Sequence, residues 1–90
     1  MRIKIYFNKN LKMSPEKLAA QVGHVCKELG RMCPNSVPVE DTIVVLNASA
    51  KKFDEMLEHM KYYQHNYVQI DNGITEVPAG TKTVLGWIED

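Results

Sequence analysis

The apolar residues change their spacing along the chain, and that change dictates the architecture. From Arg2 to Phe7 they alternate: Ile3, Ile5 and Phe7 fall on one side, Arg2, Lys4 and Tyr6 on the other, the period of an extended strand. Asn8-Lys9-Asn10 is a loop. Ser14-Pro15-Glu16 then spells a helix start, because Ser14 can cap, Pro15 suits the first helical position, and Glu16 meets the positive end of the dipole. Leu18, Val22, Val25 and Leu29 recur at spacings of 4, 3 and 4 to make one apolar face, and Gly30 is the expected stop. Lys17, Gln21, His24 and Glu28 follow the same spacing on a second, polar stripe. At about 100° per residue, His24 lies within roughly 20° of Lys17 and about 130° from the apolar centre.

The rest of the chain continues in the same manner. Residues 32–41 contain Pro34 and Pro38 and read as a loop. Thr42 to Leu46 is nearly all apolar, the pattern of a strand buried on both faces. Ser49 caps a second helix whose stripe is Phe53, Met56, Leu57 and Met60. Asn66 to Ile70 is a third strand, Asp71 to Gly80 a polar loop with glycines, and Thr81 to Ile88 a fourth strand. The order β-α-β-α-β-β predicts an α/β fold in two or three layers, with a four-stranded sheet that is mostly parallel or mixed. Ninety residues hold one core, so residues 1–90 are expected to form a single domain. If the first and third strands run the same way, the loops that follow them share the functional edge of the sheet.

Composition narrows the setting. No stretch approaches the roughly 18 apolar residues of a membrane span, and the N-terminus lacks the apolar core of a secretion signal. Two cysteines, Cys26 and Cys33, are too few for a disulfide framework, which points to reduced thiols in a cytoplasmic protein. His24, His59 and His65 have no metal-ligand spacing with them, so no metal is expected. The net charge of zero is unevenly spread. Residues 1–31 carry seven Lys and Arg against two Glu, a net of +5, and residues 32–90 carry four lysines against nine acids, a net of −5. A basic third of this kind fits either an anion-binding surface or a solvated helix face.

Phosphate-loop, dinucleotide-glycine and serine-elbow motifs are all absent. Two segments carry polar chemistry instead. Residues 10–24 place Lys12 before a helix and Lys17, Gln21 and His24 along it, an arrangement suited to phosphate and equally found on an ordinary amphipathic helix. Residues 71–83 gather Asp71, Thr75, Thr81, Thr83 and two glycines between strands, a pattern that a backbone-satisfying turn also produces.

Together the two segments resemble those of the type 2 (archaeal and eukaryotic-type) peptidyl-tRNA hydrolases. That family typically shows Asp-Leu-Lys-Met, a Gly-Lys-rich turn and Ala-Ala-Gln-x-x-His-Ala. Here Asn10-Leu11-Lys12-Met13, Ser14-Pro15-Glu16-Lys17 and Ala19-Ala20-Gln21-Val22-Gly23-His24-Val25 stand in those places. The family's second block, Asp-Ala-Gly-Arg-Thr-Gln-Ile-Ala-Pro-Gly-Thr-x-Thr-Val-Leu, is matched by Asp71 to Leu85. The chain departs from the pattern at Asn10, at Ser14-Pro15-Glu16, at Ile74 and at Glu76, and it ends before the further C-terminal helix that family members usually carry.

The resemblance implies hydrolysis of the ester joining a peptide to the 3′ ribose of tRNA, with peptidyl-tRNA as partner and no cofactor. It implies catalytic roles for Lys17, His24, Asp71 and Thr75: Lys17 on phosphate or developing negative charge, Asp71 with His24 on water, Thr75 as a hydroxyl donor. Lys12, Gln21, Thr81 and Thr83 would bind substrate. The alternative is a catalytically weak or inactive relative that binds tRNA or a protein partner. With only two helices to cover the sheet, the sequence also predicts a homodimer through the sheet face or the C-terminal strand, burying Trp87 or Ile88, unless the second helix or the 32–41 loop closes the gap.

Overall fold

The computed structural model describes residues 2–33, 42–73 and 77–89. Four strands, β1 (Arg2–Asn8), β2 (Thr42–Ala48), β3 (Asn66–Ile70) and β4 (Lys82–Glu89), and two helices, α1 (Pro15–Met32) and α2 (Ala50–His59), follow one another in the expected types, with short 3-10 turns at Lys9–Leu11 and Met60–Tyr62. Both helix starts are built as the sequence predicts. Ser14 accepts the Lys17 N–H at 3.1 Å and Ser49 accepts the Lys52 N–H at 3.2 Å, so each hydroxyl satisfies one otherwise orphaned donor. α1 runs through Gly30 to Met32 rather than stopping at it, and Cys33 caps it by donating to the Gly30 carbonyl at 3.2 Å.

The sheet is mixed, in the order β2-β1-β4-β3. β1 pairs in parallel with β2, while β4 is antiparallel to both β1 and β3. Hence β1, β2 and β3 all point the same way, and their carboxyl ends share one edge with the start of β4.

Side-chain alternation sends successive residues of β1 and β4 to opposite faces, and each face receives one helix, giving three layers. On one face Ile3, Ile5, Val84 and Ile88 pack with Val25 and Leu29 of α1. On the other, Leu85 and Trp87 pack with Ala48, Phe53 and Met60 of the α2 side. Burying one such side chain contributes about 1.5–3 kcal/mol; α1 rests chiefly on β4 and β3, and α2 on β1 and β2, with Leu85 and Trp87 filling the core beneath it. α1 approaches β4 at Gly86, where a Cβ would lie 2.9 Å from Val25 Cγ1 and 3.1 Å from the Lys4 carbonyl oxygen.

Two expectations are corrected here. Thr42–Leu46 does not form a strand buried on both faces. It belongs to an edge strand, and Ile43 and Val45 remain 52% and 43% exposed. The doubly buried strand is β4, which occupies an interior place between β1 and β3. Trp87 and Ile88 are therefore 1% and 7% exposed within the chain itself, and neither offers a dimer surface. Trp87 is covered from the α2 side by Tyr63, stacked at 5.1 Å between ring centroids, and by His59 at 5.2 Å.

Candidate functional site

At the shared edge, the first turn of α1 meets the loop that follows β3. Lys17 lies three residues beyond its cap, so its side chain leaves the helix near the end of the sheet. Asp71 is the first residue after β3. Its N–H donates to the Thr81 carbonyl at 2.9 Å, and its own carbonyl accepts the Gly80 N–H at 2.8 Å, which extends the β3–β4 ladder and closes the neck of the loop.

The Asp71 side chain is gripped from two sides. One carboxylate oxygen accepts the Gly73 N–H at 2.7 Å, and the other forms an ion pair with Lys17 Nζ. Gly73 makes the first contact by adopting a φ of +76°, and a Cβ there would come within 2.6 Å of the Ala79 nitrogen. The Lys17 and Asp71 side chains are only 12% and 4% exposed. The hydrogen bond from Lys17, then that from Gly73, hold the Asp71 carboxyl below its ordinary pKa against the opposing effect of burial. The pair is thus a partly sheltered ammonium fixed by an ionised carboxylate.

One turn further along α1, the Thr83 hydroxyl donates to Gln21 Oε1 at 2.5 Å, and both residues are buried. The polar stripe of α1 is therefore split. Gln21 stands about 60° nearer the apolar centre than His24 does, and it is drawn into the helix–sheet contact. His24 is exposed and makes no hydrogen bond or ion pair among the described residues. It sits seven residues beyond Lys17, roughly 10 Å along the axis, and Lys17 rather than His24 meets Asp71.

Lys12 is exposed in the left-handed conformation, φ 53°, with its N–H donating to the Lys9 carbonyl at 3.3 Å. Thr81 turns its hydroxyl inward to the Pro78 carbonyl at 2.7 Å. Thr75, with Ile74 and Glu76, lies outside the described residues. Lys17, Gln21, Asp71, Thr81 and Thr83 thus form one contiguous group, Lys12 flanks it, and His24 stands apart. Sequence reasoning aimed both Lys17 and His24 at the Asp71 loop through the family resemblance but did not specify the direct Lys17–Asp71 ion pair; the Asp-Asn-Gly turn signal pointed to the carboxylate's backbone partner, and nothing local signals a partner 54 residues away.

At the opposite end of the sheet, Glu89 accepts the Trp87 indole N–H at 3.0 Å and the Tyr63 hydroxyl at 3.4 Å, and pairs with Arg2 at 3.2 Å. These contacts, led by the indole bond, lower its pKa and fasten the end of β4. Cys26 and Cys33 are free thiols. Among the described residues no helix is long and apolar enough to cross a membrane.

Residues 1–88 match the family model described as peptidyl-tRNA hydrolase PTH2. A Caenorhabditis elegans protein named "Probable peptidyl-tRNA hydrolase 2" is 34% identical over 94 residues, covering 88% of this chain and 29% of its own length. The chain therefore spans less than a third of that relative. With the family match extending over both polar segments and all four strands, the chain belongs to the peptidyl-tRNA hydrolase PTH2 family.

Proposed function

We infer that the chain hydrolyses the ester between a peptide and the 3′ end of tRNA, with the Lys17–Asp71 pair as its centre. The observation that carries this reading is the pair itself: a sheltered ammonium held in place at the functional edge of the sheet by a carboxylate whose other oxygen accepts a glycine N–H. Attack of water on an ester places negative charge on the carbonyl oxygen, and a fixed ammonium stabilises that charge more strongly in the transition state than in the bound ester. Asp71 orients the lysine and offers its remaining lone pairs to the attacking water. Its lowered pKa makes it a weak proton acceptor, so orientation and electrostatics are its contribution, and the proton of the attacking water passes to the ribose 3′ oxygen as the acyl C–O bond breaks and the tRNA leaves. Lys12 contacts the phosphates next to the scissile ester, and Thr75 adds a hydroxyl donor.

The test is release of peptide from purified peptidyl-tRNA, compared with deacylation of aminoacyl-tRNA. Lys17→Met and Asp71→Asn are expected to lower release by about 10²-fold or more. Parent-like turnover in both variants would remove the pair from the mechanism. A second reading, tRNA binding without hydrolysis, draws on the fact that Asp71 is already bonded to Lys17 and Gly73. It predicts tRNA binding by the parent with no release of peptide.

A further inference from the structure

The sequence confines its basic excess to the first third, but the fold redistributes it. Lys9 lies one residue beyond β1, and Lys51 and Lys52 lie in the first turn of α2, just past the end of β2. Asn8 pairs with Ala48, so Lys9 and the entry to α2 are level in the parallel register. Phe7 pairs with Val84, so continuing the antiparallel register sets Lys9 level with Lys82. Neighbouring strands are about 4.8 Å apart. Lys82, Lys9 and the start of α2 therefore form a row across one end of the sheet, and Lys12 leads from that row to Lys17 on the α1 side.

Lys9, Lys12, Lys51, Lys52 and Lys82 are all exposed, and none is in an ion pair among the described residues. Toward the other end Arg2, Arg31 and Lys61 pair with Glu89, Glu28 and Glu58 at 3.2–3.3 Å, while Lys4 and Lys27 make no ion pair among the described residues. Among the described residues, acids are also sparse at the lysine end. The Lys9–Leu11 turn and the first turn of α2 contain none, Glu16 is the acid in the first turn of α1, and Asp71 is committed to Lys17. Three lysines from the acidic two-thirds of the sequence have been brought beside those of the basic third.

We propose that this lysine band is a phosphodiester-binding surface that continues past the Lys17–Asp71 centre, across Lys9 and Lys82, to Lys51 and Lys52 on the α2 face, so that RNA is held from both sides of the sheet. The proposal rests on tRNA being the substrate and extends the contact surface beyond the α1 segment. An RNA backbone suits the band because it offers anions in series, whereas a single phosphate or carboxylate would engage only one part of a row drawn from four separate segments. Unpaired cations release the RNA's counterions on binding, so each contact shows in the salt dependence of affinity.

The experiment is a fluorescence titration of labelled deacylated tRNA against the full chain at several KCl concentrations. Lys51→Ala/Lys52→Ala is expected to reduce the slope of log affinity against log salt by about 1.4–1.8, two contacts at roughly 0.7–0.9 each. Lys27→Ala, which removes an exposed unpaired charge late in α1, is expected to leave the slope unchanged. An unchanged slope and affinity in the Lys51/Lys52 variant, with an unaltered thermal midpoint, would overturn the proposal. So would a parent chain that prefers phosphatidylserine vesicles to tRNA. Peptide release is measured separately: a changed slope without release preserves the binding surface and sinks the hydrolase reading, and release with an unchanged slope does the reverse.

Discussion

Replacing Thr83 by Val keeps the side-chain shape and removes one hydroxyl, which isolates the bond between α1 and β4 that lies beside the candidate centre. Thr83 is 0% exposed and Gln21 5%, so solvent has little access to replace the lost donor. The bond is short, 2.5 Å, and the other acceptor near the hydroxyl, the Gln69 carbonyl, is at 3.4 Å. Loss of the hydroxyl leaves Gln21 Oε1 without its partner, a defect that costs about 1–3 kcal/mol. For a chain of this size each kcal/mol moves the thermal midpoint by roughly 4–8 °C. Urea unfolding followed by fluorescence of Trp87, the chain's single tryptophan and buried in the structure, reads the change. The double variant Thr83→Val/Gln21→Met removes both polar partners and should recover most of the loss, a non-additivity of about 1–2 kcal/mol. Unchanged stability in Thr83→Val, joined to a raised KM for peptidyl-tRNA, would refute the reasoning and return Thr83 to the substrate-contact role that the family resemblance implied.

Three further outcomes are expected. Gly86→Ala pushes a methyl against Val25 and the Lys4 carbonyl and should destabilise by about 1–3 kcal/mol, with Val25→Ala in the same chain relieving part of the strain; equal melting of Gly86→Ala and parent would show that α1 does not press on β4 there. Because the folded Asp71 carboxyl has a lowered pKa, it adds stability above its unfolded value of about 3.9 and loses that contribution as pH falls through the lower folded value. Asp71→Asn should therefore flatten the acid limb of a stability–pH profile, and an unchanged limb would count against the ion pair. Lys12→Gly should raise the thermal midpoint by several degrees, since a left-handed backbone costs a lysine about 1 kcal/mol, while lowering the salt slope of tRNA binding by roughly 0.7–0.9. A fall in midpoint would show that the lysine side chain supports the turn.

Legibility in the sequence follows the range of the forces involved. Element types and caps are local, so the Ser14 and Ser49 starts and the alternation of Ile3, Ile5 and Phe7 are readable directly. Strand order is not local. Thr42–Leu46 and Val84–Ile88 are both apolar on successive residues, and hydropathy alone ranks them alike. What distinguishes them is shape: Gly86 lets α1 approach β4 on one face, and Trp87 fills the space beneath Tyr63 and His59 on the other, so β4 is covered on both faces while β2 lies at the edge. The same limit applies at the site. A helical wheel assigns Gln21 to a polar stripe, yet its burial depends on Thr83, which is 62 residues away. Gly30 is read as a stop because glycine favours helix ends, but α1 carries it one more half-turn.

The placement of β4 also accounts for the charge arrangement. Because β4 is antiparallel and lies between β1 and β3, its first residue, Lys82, returns to the edge where β1, β2 and β3 end. Its last residue, Glu89, is carried to the opposite end, where it meets Arg2, Trp87 and Tyr63. One strand thus delivers a cation to the lysine band and an anion to the far end. A fully parallel arrangement of the same four strands would reverse both, setting Glu89 among the lysines and Lys82 beside Arg2. The mixed topology is therefore what allows a chain of zero net charge to present unpaired cations around the Lys17–Asp71 centre.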